Sequence, residues 1–142
     1  MNPATSSSVN VNSTTQLAYA PFLLLGFLIW FSATLVFRWV GHLFFITDNT
    51  LFMSLNFLAL TIAMPLLMYK LYALRQLNSS QRAIAAICVM LLGMLLDALT
   101  VYFFEQVFPN LPASAGRPFG AWLLWGYGIS LLTALIPRSE QA

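Results

Sequence analysis

The sequence predicts an all-α, membrane-embedded, up-down four-helix bundle behind a disordered polar N-terminal tail. Three observations carry this. Hydrophobic residues make up 60% of the chain and charged residues only 7%, whereas a soluble domain typically carries about 25% charged residues. The chain holds four apolar stretches, each near the roughly 20 residues that cross a ~30 Å hydrocarbon core. The connections between them are short, which favours sequential antiparallel neighbours within one domain.

Residues 1–16 contain no Lys or Arg, so they lack the charged n-region of a signal peptide. Their Ser, Thr and Asn offer little bulk to bury, which predicts disorder. The first span runs over about 17–42 and the second over 50–69, the third over 84–104 and the fourth over 119–136. Each reads as an α-helix, because backbone polar groups in lipid must be satisfied within the segment. The residue-by-residue alternation of a membrane β-strand is absent. Pro65 interrupts the hydrogen-bond ladder of the second span and predicts a kink, with the Thr61 hydroxyl placed to offset the lost bond. Pro109, Pro112, Gly116 and Pro118 mark the last connection as irregular. Gly126, Ser130 and Ala134 put small side chains at four-residue spacing on the fourth span, a stripe that lets helix backbones approach closely. We read it as the face toward the other helices; a homodimer face is the alternative.

Lys70, Arg75, Arg82 and Arg138 fall on one side of this topology, Arg38 and Arg117 on the other. The positive-inside rule then places both termini in the cytoplasm. Tyr19, Tyr69 and Tyr72 would sit at the cytoplasmic boundary, and Trp39, Tyr102, Trp122 and Trp125 near the outer one, as interfacial aromatic belts do.

Four polar residues, one from each span, fall in the outer half of this arrangement. Asp97 lies about 12 Å in from Glu105, Asn56 about 9 Å in from Thr50, and Tyr127 about 12 Å in from Phe119, at 1.5 Å per residue. Arg38 is about 13 Å deep if the first helix continues through Phe45, and about 6 Å if it stops at His42. An unpaired Arg or Asp at such depth costs roughly 2.5–3.5 kcal/mol on insertion scales. A bidentate Arg38–Asp97 pair, completed by Asn56 and Tyr127, is therefore the expected lock. The same four residues are the candidate binding cluster, because intramembrane ionisable groups mark functional sites.

Cys88 and His42 are the only residues of their types, which excludes an internal disulfide, a CxxC redox pair and a multi-histidine metal or haem site within the chain. No cofactor is expected. No phosphate loop, zinc-protease motif or glycine fingerprint occurs, so no catalytic residue is named and no enzymatic activity is expected. The six bases are scattered, unlike the basic patch that nucleic acid requires. The expected partners are the lipid bilayer and either other membrane subunits or a second copy of the chain.

The segments GFLIWFSATLVFRWVGHLFF in the first span and FGAWLLWGYGISLLTALIP in the fourth resemble a family of small bacterial four-span membrane proteins of unknown function. The resemblance covers about Pro21 to Pro137. It implies a bacterial inner membrane and brings no activity or ligand with it. From the residues alone, a structural or accessory subunit of a membrane assembly is the first expectation. A small transporter or ligand-binding protein using the cluster around Arg38 and Asp97 is the alternative.

Overall fold

A computed structural model describes residues 18–136, so the predicted tail lies outside the described residues. The protein is all-α, with four long apolar helices packed against one another. They are α1 (Tyr19–Phe44), α2 (Thr50–Leu74), α3 (Ser79–Tyr102) and α5 (Gly116–Leu135). A single helical turn, α4 (Phe104–Val107), and a 3₁₀ turn, Ala113–Ala115, break the last connection. All four long helices have the length and composition to cross a membrane. Their outward faces are rows of exposed Leu, Ile and Phe, such as Leu24, Leu28, Leu58, Leu95 and Leu124. Such faces are stable only in a hydrocarbon solvent, and the chain is a multi-pass membrane protein.

The ends of the helices depart from the expected spans where local capping is strong. The polar connection expected over Lys70–Ala83 is instead a tight turn over residues 75–78. Asn78 caps α3 by accepting from Gln81 N at 2.9 Å, and the Gln81 side chain accepts from Asn78 N at 3.1 Å. This reciprocal box satisfies two otherwise orphaned donors and starts α3 five residues early. At the other side of the turn, Gln76 takes the left-handed conformation with φ 49°. Leu77 N then reaches back to Tyr72 O, closing the end of α2. α1 ends at Phe44, between the two stops the sequence left open.

The helices do not pack in sequence order. α1 lies on α3, α3 on α5, and α5 on α2. α1 and α2, although joined by residues 45–49, make little direct backbone contact. Small residues explain this order. In lipid, helices associate through close packing rather than through the hydrophobic effect. Gly26 brings α1 so near α3 that a Cβ there would sit 2.2 Å from Val89 O. Gly126 seats Leu60 of α2 against α5, with Leu60 Cδ2 3.0 Å from where a Cβ would stand. Ser130 is fully buried and Ala134 packs on the core, so the small stripe of α5 faces the interior. Neighbouring thus follows side-chain size, whereas connection length had suggested α1 beside α2.

Two clusters close the ends of the assembly. One gathers Phe22, Met68, Tyr72, Ala85, Val89 and Met90. The other is aromatic, with Phe37, Phe45, Phe104, Phe108, Phe119 and Trp122. Phe37 meets Phe119 edge-on at 5.6 Å and Trp122 edge-on at 5.4 Å, the geometry that ring quadrupoles favour. α2 remains helical through Pro65. The Thr61 hydroxyl does not offset the bond lost there: it donates to Phe57 O and accepts from Trp125 Nε1, each at 2.8 Å. Its role is a polar tie between α2 and α5.

Candidate functional site

Asp97 stands on the buried face of α3, one turn beyond Gly93, and is 7% exposed. Trp30 Nε1 of α1 donates to its Oδ1 at 2.8 Å, and the Tyr127 hydroxyl of α5 donates to its Oδ2. Three helices therefore converge on one carboxylate. Two glycines make the approach possible. Gly26, one turn before Trp30, lets α1 close on α3. A Cβ on Gly93 would lie 2.9 Å from the Tyr127 hydroxyl, so only glycine leaves room for that ring beside Asp97.

Of the four residues the sequence singled out, the structure brings Asp97 and Tyr127 together and sets Arg38 and Asn56 apart. Arg38 does not pair with Asp97. Its Nη1 donates to the backbone oxygens of Gln106 and Val107. These are carbonyls of the last turn of α4, where a cation meets the negative end of the helix. The reason lies in the end of α1: stopping at Phe44 puts Arg38 only about 9 Å from the terminus at 1.5 Å per residue, within reach of the connection. The Asn56 side chain donates to Phe44 O, the last residue of α1. Both residues tie chain ends together. Trp30, two turns before Arg38 on α1, is the partner of Asp97 that sequence reasoning missed. The signal was present, since an indole N–H buried in lipid needs an acceptor.

Beside Asp97 lies a cavity of about 150 Å³ between the four long helices. α1 contributes Trp30, Ala33 and Thr34 to its wall, and α2 contributes Leu60 and Met64. Phe37 and Trp122 close it toward the aromatic cluster, and Met90 closes the other end. Ala33 lines the cavity and is also exposed, so the cavity reaches the surface of α1 at this residue. Asp97 is the only carboxylate in the wall. Its chemistry is that of an acceptor at the edge of an apolar space, with one lone pair of each oxygen engaged by a neutral donor.

A second polar chain runs along α5. The Tyr72 hydroxyl meets Thr133 Oγ1 at 3.0 Å, Thr133 donates to Ser130 O, and Ser130 donates to Gly126 O. These bonds satisfy buried hydroxyls and fasten α2 to α5, and the last of them reaches Gly126 in the cavity wall. At the same end, Arg82, expected in a loop, is buried in the first turn of α3. Its Nε donates to Leu77 O at 3.3 Å and its guanidinium lies 5.4 Å from the centre of the Tyr72 ring. Among the described residues, no group of three or more His, Cys, Asp or Glu gathers to hold a metal ion.

Residues 44–141 match a family model described as Family of unknown function (DUF5367). The match includes Asp97 and Tyr127, and Trp30 precedes it. No curated protein and no solved structure matches the chain.

Proposed function

The chain belongs to this family of unknown function, and we propose that it binds a small molecule held in the cavity beside Asp97. The observation that supports this reading is the cavity itself, at the level of the one buried carboxylate among the described residues. The residues alone favoured a structural or accessory subunit, because no site chemistry was visible. A lock that served packing alone would be filled, since interiors close-pack and voids of this size forgo dispersion contacts. Ligand sites, by contrast, are largely preformed and apolar, with a few convergent polar groups.

The work asked of the protein is selective sequestration without covalent chemistry. Trp30 and Tyr127 fix the orientation of Asp97, and the apolar wall excludes water. The opening at Ala33 gives entry from the surface of α1. The excess of bases at the Lys70–Arg82 end favours cytoplasmic termini, and the family resemblance favours a bacterial inner membrane.

The experiment is a thermal-shift screen of the full chain in lipid nanodiscs against small apolar and amphipathic molecules. A ligand at 100 times its Kd stabilises by about 2.7 kcal/mol, a shift readily seen. At least one compound class should raise the melting temperature of wild type. Ala33→Phe, which obstructs the mouth, should abolish the rise. A screen in which no compound raises the melting temperature of wild type, or every rise persists in Ala33→Phe, would refute the reading.

A further inference from the structure

We propose that the occupant of this cavity is a small organic monocation, a protonated or quaternary amine of up to about one aromatic ring, with Asp97 as its counter-ion. The inference rests on the reading of the cavity as a binding site and names the chemical class that the site would take.

Four observations support the class. First, Asp97 is buried and receives hydrogen bonds only from neutral groups, the Trp30 indole and the Tyr127 hydroxyl. A buried carboxylate is normally completed by a positive partner, and each oxygen of Asp97 keeps a lone pair for one. Second, three of the described bases are engaged elsewhere. Arg38 is taken by the end of α4, and Arg75 and Arg82 lie over Phe22 and Tyr72 at the opposite end. Third, the wall of the cavity is rich in π systems and thioether: Trp30, Phe37, Trp122, Tyr127, Met64 and Met90. Aromatic faces attract a desolvated cation and do not attract an anion. Fourth, the size is restrictive. A cavity of about 150 Å³ matches one that admits a benzene-sized guest. A compound of several fused rings exceeds that volume.

Each feature has a structural explanation taken singly. Together they place one carboxylate, unpaired by any cation among the described residues, on the wall of an aromatic space. A neutral guest would leave the carboxylate with its two neutral donors and no cationic partner. An anion would be repelled by it.

Benzylammonium and ethylbenzene separate the class from the site. They share shape and heavy-atom count and differ in charge. Both are titrated into the full chain in zwitterionic nanodiscs, with tryptophan fluorescence as the readout and empty nanodiscs subtracted. Wild type should bind benzylammonium at least tenfold more tightly than ethylbenzene, and Asp97→Asn should remove that preference while ethylbenzene binding persists. Ala33→Phe should weaken both. Equal binding of the two compounds by wild type would overturn the cation and leave the cavity as a neutral binding site. Binding of neither would overturn the cation and the binding site together. Tight binding of benzylammonium that survives both substitutions would place the cation elsewhere and overturn the proposal. Should Asp97→Asn fail to fold, the wild-type preference together with the weakening of both compounds in Ala33→Phe decides the matter.

Discussion

Replacing Gly26 by alanine tests how the site is assembled. A Cβ at this position would lie 2.2 Å from Val89 O, 2.9 Å from Val89 C and 3.0 Å from Val89 Cα. Ordinary carbon–oxygen contacts between helices are about 3.3 Å or longer, so α1 must withdraw from α3 by about 1 Å. The obstructing atoms are helix backbone and cannot turn aside as a side chain would. Overpacking of this kind costs typically 1–3 kcal/mol, and the upper part of that range applies here. Alanine's better helix propensity returns about 1 kcal/mol, leaving a net loss of about 1–2 kcal/mol. Gly128 is the matched control, because nothing lies within 4 Å of a Cβ built there. Gly128→Ala should gain up to about 1 kcal/mol from propensity alone. The assay is reversible unfolding of the full chain in mixed micelles, followed by circular dichroism. Trp30, one turn along from Gly26, should also shift its emission as its bond to Asp97 loosens. A Gly26→Ala protein as stable as wild type, with unchanged emission, would refute the claim that this glycine sets the α1–α3 distance.

Other substitutions read out the remaining contacts. Tyr127→Phe removes one of the two donors to Asp97 and should lower stability by about 1 kcal/mol or more, measured in the same unfolding assay. Arg38→Gln and Asp97→Asn share no partner, so their effects should add to within about 0.5 kcal/mol; strong coupling in the double variant would restore the ion pair that the structure lacks. Asn78→Ala should cost about 1 kcal/mol by breaking the capping box of α3. Gln76→Gly should stabilise by several tenths of a kcal/mol, because glycine takes the positive φ at that turn without strain.

Much of the architecture is legible in the sequence because the bilayer imposes it. Four runs of about 20 apolar residues admit few other structures, and the four long helices fall on them. Helix ends were less legible, since they depend on local capping. The Asn78-x-x-Gln81 pattern is a capping box, but the polarity of residues 70–83 masks the helix start it marks. The order of packing was hidden because it rests on interactions between distant residues, such as Gly26 against Val89 and Gly126 against Leu60. The candidate site was half visible. Asp97 and Tyr127 stood out by depth, and the structure brings them together. Arg38 misled because charge complementarity suggested a pair, while the carbonyls at the end of α4 satisfy the guanidinium instead. Trp30 was missed because an indole in an apolar helix reads as bulk, though its N–H needs an acceptor as much as a charge does.

The account turns on whether the space beside Asp97 is a preformed cavity, and xenon measures that most directly. Xenon enters dry cavities of about this volume, and its ¹²⁹Xe resonance distinguishes a saturable protein site from the linear uptake of lipid. Nanodiscs carrying the wild-type chain should show one saturable site, absent from Ala33→Phe and retained in Asp97→Asn, since the carboxamide preserves the volume. Linear uptake identical to that of empty nanodiscs would mean that the four helices pack without a void, and the binding site would fall with it.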